Sequence, residues 1–244
     1  DVKPDRRNRI RLGLNCLLVQ TPETNILIDT GAGSKRTEKF KDLYNLNGNK
    51  LLRGLRALGL TARDIDIVIL TQLQFDHGGG CTKLDRSGSA IPTFPKAQYM
   101  VQRSCYEEAR SPNERFKGSF YEDDFVPLEE KGVLTLLDGD TEVTPGVTVK
   151  VANGPFRGHQ TVMIERGSER IAYVADLIPT AHHLPLHYIS ALDEAPDATL
   201  VEKRKMLKMA TEGGWLMIFG HGYEQPSGYV QQRNGKATLT PIEI

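Results

Sequence analysis

Four residues of this chain could act together chemically, because each follows an apolar run that reads as a buried strand. Residues 67–70 (IVIL) lead through a polar stretch to Asp76 and His77. Residues 171–175 (IAYVA) lead to Asp176, and residues 215–219 (WLMIF) pass through Gly220 to His221. If the three strands lie side by side with those ends together, two imidazoles and two carboxylates gather on one rim. That donor set suits Zn, Fe or Mn. Single His or Asp residues at strand ends are otherwise hydrogen-bonded structural groups, so the pattern alone leaves both readings open. Between the first strand and Asp76 stand Gln72 and Gln74, whose neutral amides are poor ligands beside imidazole. They are better suited to hydrogen-bonding a substrate carbonyl, or each other.

The elements that must position these residues are short and alternate in type. Residues 14–19 and 25–29 read as a strand hairpin around TPET, followed by the glycine-permitted turn Asp29-Thr30-Gly31. Residues 51–58 form an amphipathic helix ended by Gly59, residues 97–101 a strand, and residues 102–110 a short helix. Residues 111–130 are polar, aromatic and acidic with poor periodicity, which predicts a lid, a binding loop or a plain surface excursion, its acids at 122–124 solvated like Glu107 and Glu108. Four more strands are predicted over 133–137, 147–152, 160–165 and 170–175. A helix over 197–212 and a hairpin around Asn234-Gly235 complete the pattern. Strand-rich halves with helices after the strands predict two sheets sandwiched by helices. No linker composition divides residues 1–244, so a single domain is expected.

Composition excludes several classes. Lys+Arg and Asp+Glu both number 31, which argues against a dedicated nucleic-acid surface, and Arg6, Arg7, Arg9 and Arg11 read as a solvated segment or an anion contact. No apolar run approaches the roughly 20 residues that span a bilayer. Three cysteines, Cys16, Cys81 and Cys105, form no CxxC pair and suggest reduced thiols in a cytoplasmic protein. The expected partner is a small-molecule substrate, and a homodimer is left open. The chain opens on Asp1 rather than Met, so an N-terminal segment missing from it is part of the expectation.

The stretch VILTQLQFDHGGG, residues 68–80, resembles the signature of the metallo-β-lactamase fold superfamily, a strand ending in Thr followed by HxHxDH and small residues. Here it stands as QxQxDH. A preceding Asp-Thr-Gly, matched by residues 29–31, is a recurrent companion. The resemblance implies an α/β fold, a four-layer αββα sandwich. It also implies two metal sites: the histidines of HxH plus a later histidine hold the first, the DH pair plus a final histidine hold the second, and a late Asp bridges both. The later histidine lies in a segment like TPGHTPGHQ, matched here by ANGPFRGHQ, which leaves Pro155 at the ligand position and His159 at a position that is structural in relatives. By this resemblance Gln72, Gln74 and Pro155 are non-ligating, whereas Asp76, His77, Asp176 and His221 are intact. Random loss would rarely sort so cleanly by site.

The resemblance therefore implies a hydrolase of a small ester, lactone or thioester working with one divalent metal at the second site, Zn first and Fe or Mn as alternatives. Asp176 and Asp76 are the expected catalytic carboxylates. Gln72, Gln74 and His183 are the expected substrate contacts, since residues 180–187, with His182, His183 and His187, follow the bridging Asp and in relatives overlook the pocket; a polar loop is the plainer alternative. Two other functions remain open. Asp76, His77 and His221 are the ligand type of non-haem iron oxygenases, and loss of the first site is also what a catalytically inactive, small-molecule-binding descendant would show.

Overall fold

A computed structural model describes residues 2–46, 50–233 and 236–243. In chain order the elements are β1 (Leu17–Gln20), β2 (Asn25–Ile28), α1 (Thr37–Tyr44), α2 (Lys50–Ala57), β3 (Ile67–Ile69), α3 (Phe75–Gly78), β4 (Thr82–Leu84), β5 (Ala90–Pro92) and β6 (Gln98–Gln102). Then come α4 (Arg103–Arg110), α5 (Glu122–Glu130), β7 (Leu134–Leu137), β8 (Thr141–Thr144), β9 (Val147–Val151), β10 (Gln160–Arg166) and β11 (Glu169–Tyr173). The chain continues through α6 (Pro196–Gly213), β12 (Leu216–Ile218), β13 (Ser227–Arg233) and β14 (Lys236–Pro241).

The strands make two main sheets, ordered β1-β2-β3-β6-β7 and β14-β13-β12-β11-β10-β9-β8, with β4 and β5 as a separate pair. Side-chain alternation along each strand decides the layers. Ile26, Ile28 and Ile69 of the first sheet meet Val149, Val162, Tyr173 and Ile218 of the second in one buried cluster between the sheets. Leu27, Val68, Tyr99 and Val101 point the other way, against Leu55 of α2, Cys105 and Tyr106 of α4, and Phe125 and Leu128 of α5. Ala172 and Met217 point outward from the second sheet onto Met206, Leu207 and Ala210 of α6. The result is the four-layer αββα sandwich.

Three details depart from the sequence reading. The strands leading to the candidate ligands are not all side by side: β11 and β12 pair in parallel, but β3 belongs to the opposite sheet. The ligands therefore come from both sheets and meet at one edge of the sandwich. Residues 111–130 are not wholly irregular, because α5 closes them and buries Asp124, Phe125 and Leu128. Asp124 is accordingly not solvated: its Oδ1 sits 2.7 Å from Lys35 Nζ and 2.8 Å from Arg36 Nη1, beneath the turn that follows β2. An acid so buried keeps its charge only beside cations. β13 and β14 pair antiparallel, and the turn expected at Asn234-Gly235 lies outside the described residues.

Candidate metal centre

β3 ends at Ile69, and the next residues carry the polar stretch into α3, whose short turn presents Asp76 and His77 on one side. His77 is 2% exposed, and its orientation is fixed from behind. Asp29, at the end of β2, lies 2.9 Å from His77 Nδ1 through Oδ2 and accepts from the Thr71 backbone N–H at 2.8 Å through Oδ1. Thr71 Oγ1 donates to the same carboxylate at 2.8 Å, and Tyr173 OH approaches it at 3.2 Å. Asp29 reaches this geometry from a left-handed backbone, φ +56°, a region Asp tolerates better than most side chains. With Nδ1 committed to the carboxylate, Nε2 of His77 is the free ring position. It is buried and has no hydrogen-bond partner.

His221 is held by the same logic. Its Nδ1 donates to the Gly13 carbonyl at 2.9 Å, and Gly13 is tied back by its own N–H to His221 O at 3.0 Å. Asn15 Nδ2 bonds the carbonyls of Phe219 and Gly222 at 2.9 and 2.7 Å, which fixes the loop that bears the imidazole. Two anchored rings thus present Nε2 to one space, with centroids 5.1 Å apart. Anchoring of the distal nitrogen is the usual arrangement of a metal-ligating histidine.

Asp176 follows β11 in a 3₁₀ turn, just after Ala175 at φ +44°, and its carboxylate faces both rings. Oδ1 lies 3.0 Å from His221 Nε2, and Oδ2 lies 3.2 Å from His77 Nε2. Asp76 Oδ2 stands 3.9 Å from His77 Nε2 and 3.8 Å from His221 Nε2. Donor atoms of Asp76, His77 and His221 lie within 4.8 Å of one another, and among the described residues this is the cluster that could hold a metal ion. His77 Nε2, which makes no well-formed hydrogen bond, the anchored His221 ring and the Asp76 carboxylate fit a divalent cation; Asp176, expected as a fourth ligand, borders this group without belonging to it.

The charges support one another. Burial pushes the Asp176 carboxyl up, but His77 and His221 override it and hold it well below the usual carboxylate range. Burial pushes His77 down, yet Asp176, Asp76 and Asp29 carry it well above the usual imidazole value, and His221 is raised against its own burial chiefly by Asp176. His159 goes the other way, pushed down to about 4 chiefly by burial. Its Nδ1 lies 3.2 Å from the Ala152 carbonyl and its Nε2 accepts from the Asp176 backbone N–H at 3.2 Å, so both ring nitrogens are occupied by main chain. It is a structural support for the turn that carries Asp176.

The remaining expected residues scatter. Gln72 is buried, and its Nε2 donates to Asp176 Oδ2 at 2.5 Å rather than to Gln74. Gln74 starts α3 and is partly exposed. Pro155 is buried, its carbonyl accepting the Glu194 N–H at 3.0 Å. His183 is half-buried, with Nδ1 at 2.9 Å from Thr180 Oγ1, and it is not among the metal-competent group. His182 lines a separate recess of about 370 Å³, and the His187 ring packs edge-on against Tyr188. Sequence reading assigned no role to Asp29, Gly13, Asn15 or Tyr173. The available signal was Asp29 itself, an acid at the end of an apolar strand, directly before a turn.

An aromatic cluster packs around Phe75, the first residue of α3. Phe75 packs on Phe40 and Tyr44 with centroids 4.6 and 5.4 Å away, and Tyr121 lies 6.4 Å from Phe75. The Phe75 N–H bonds Ser119 O at 2.9 Å, so the 111–130 segment docks onto the residue before Asp76.

Paired imidazoles and carboxylates at the edge of an αββα sandwich make a candidate metal site in an α/β protein. The chain belongs to the metallo-β-lactamase superfamily, whose family model matches residues 10–221. It is 25% identical over 240 residues to an N-acyl homoserine lactonase of Bacillus cereus, covering 91% of this chain and 86% of that protein. A lactonase from a Bacillus species is 26% identical over 227 residues, with 87% and 82% covered. Among solved structures, a probable metal-dependent hydrolase from Staphylococcus aureus superposes with a TM-score of 0.86 at 26% identity, over 100% of this chain and 87% of that one. A dizinc quorum-quenching lactonase in complex with its N-acyl-homoserine product shares the fold at TM-score 0.79 and 22% identity, over 96% and 80%.

Proposed function

We propose that this protein is a metal-dependent hydrolase that opens a small lactone, or cleaves a related ester or thioester, with one divalent metal, Zn first, held by Asp76, His77, Asp176 and His221. The observation that carries this reading is the anchored convergence of His77 Nε2 and His221 Nε2 on two carboxylates. The lactone comes from the relatives, which are named for hydrolysis of N-acyl homoserine lactones.

A cation bound there would polarise the substrate carbonyl and lower the pKa of a water. The chain's own part is orientation and proton handling. Asp29 and Gly13 O keep each Nε2 aimed inward. Asp176, 3.0 Å from His221 Nε2 and 3.2 Å from His77 Nε2, is placed to orient the attacking water and take its proton. Ring opening breaks the acyl C–O bond, and the same proton ends on the released alkoxide to give a hydroxy acid.

Residues 1–244 are proposed to act as one domain. All three cysteines are free, which supports the reading of a reducing, cytoplasmic compartment. No described helix is long and apolar enough to cross a membrane.

The test is turnover of N-hexanoyl homoserine lactone, p-nitrophenyl acetate and an acyl thioester by protein purified without chelator. Lactone opening lost in His77→Ala and His221→Ala supports the proposal; lack of turnover of all three by metal-replete protein contradicts it. One observation favours a second reading: Asp76, His77 and His221 are themselves a two-histidine, one-carboxylate set. Stoichiometric iron with oxygen uptake after anaerobic purification would favour an oxygenase.

A further inference from the structure

Oδ2 of Asp176, the oxygen that faces His77 Nε2 at 3.2 Å, is also held from its other side by protein. Gln72 is 1% exposed, and its Nε2 donates to Asp176 Oδ2 at 2.5 Å, while the Oε1 of the same amide is buried with no partner. The orientation of this amide follows from charge. Turned over, it would set a carbonyl oxygen against a carboxylate, acceptor against acceptor. An ionised carboxylate buried beside two imidazoles needs a donor on each oxygen. His221 supplies one for Oδ1 at 3.0 Å; Oδ2 faces His77 Nε2 at 3.2 Å on one side and takes the Gln72 amide, a donor that adds no charge, on the other. His159 cannot provide a substitute ligand on this side, since both its ring nitrogens are held by main chain.

We propose that Gln72 is the residue that limits this chain to a single metal: its side-chain amide stands where a second cation would have to meet Asp176, and it positions that carboxylate for the one metal that remains. The inference rests on the single-metal reading above, but its test is separable. The simple alternative is that the chain lacks a second metal only because ligands are missing. Gln74→His/Pro155→His supplies two imidazoles and leaves Gln72 in place; the triple variant adds Gln72→Ala, which removes the amide without adding a ligand.

Zinc is titrated into the metal-free forms of wild type, double and triple variants, with calorimetry and elemental analysis counting equivalents, and cobalt absorption spectra are recorded in parallel. One equivalent for wild type and double variant, and two for the triple, is the expected result. Two equivalents in the double variant would overturn the proposal, as would one in a triple variant whose circular dichroism matches wild type. None or two in wild type would instead refute the single-metal reading itself. Gln72→Leu guards against misfolding of the multiple variants, because it removes a hydrogen bond together with an orphaned acceptor in nearly the same volume. Its cobalt spectrum should shift in the visible bands as Asp176 realigns; a spectrum superimposable on wild type would show that the amide does not position the carboxylate.

Discussion

His77 and Asp29 show how much of the centre is decided one residue at a time. The ring is useful only because Asp29 claims Nδ1 and leaves Nε2 toward Asp76 and Asp176. Asp29→Asn keeps a residue tolerant of the left-handed backbone but removes the charge, so metal affinity should fall by about 10- to 100-fold in competition with a chelator. Unchanged affinity would mean that Asp29 is only a structural acid. His159 carries a pH signature of opposite sign to His77. Its folded value is about 4 against 6.5 for the ordinary group, so the unfolded chain binds the extra proton between those values. Stability from this residue is therefore complete above pH 6.5 and is lost as pH falls toward 4, by something on the order of 3 kcal/mol. Urea denaturation across pH 4–7 should show that slope in wild type and a flatter one in His159→Asn. At this scale the sequence displayed Asp76, His77, Asp176 and His221 by their places after apolar strands. Asp29 stood out only as part of Asp-Thr-Gly, without its role behind His77, and Asn15 and Gly13 did not stand out at all, because a partner that works through a carbonyl or a loop contact has no signature of its own in the chain.

At the scale of elements, α3 must approach the turn after β2 closely enough for Asp29 to reach His77, and glycine makes that possible. A Cβ on Gly79 would lie 2.6 Å from the Ala32 carbonyl oxygen and closer still to that of Phe75, both backbone atoms with no freedom to yield. Gly79→Ala should therefore cost about 2 kcal/mol of stability and also weaken metal binding by shifting Asp76 and His77. Gly54, in α2, faces open space, so Gly54→Ala should stabilise by about 0.5–1 kcal/mol and leave metal binding alone. Equal effects at the two positions, by thermal melts and zinc titration, would contradict this account of the turn. The triple glycine was visible as small residues after the Asp-His pair, but its purpose was not, since the Ala32 and Thr30 backbone it must pass lies over forty positions earlier. β3, β11 and β12 were legible from their apolar runs. That β3 lies in the other sheet was not, because strand pairing over such separations leaves no local pattern. α5 was missed for a related reason: its FVPLEE run has weak helical periodicity, and its buried Asp124 is tolerated only through Lys35 and Arg36.

For the whole molecule, the cluster between the sheets joins β2 and β3 to β9, β10, β11 and β12, so neither half can keep its inner face dry alone. Unfolding as one cooperative unit is therefore the prediction. Trp215, the sole tryptophan, reports on the outer face of the second sheet, whereas far-UV circular dichroism averages over both. In metal-free protein the two signals should give one coincident urea midpoint; separate midpoints would divide the chain into independent halves. The proposed metal centre draws on the same closure, taking Asp76 and His77 from the end of one sheet and His221 from the end of the other. The composite origin of the site makes metal content the most direct test. Elemental analysis of protein purified without chelator should find one equivalent of a divalent metal per chain, reduced to none in His77→Ala. Two equivalents in wild type, none, or one that survives His77→Ala, would contradict the account.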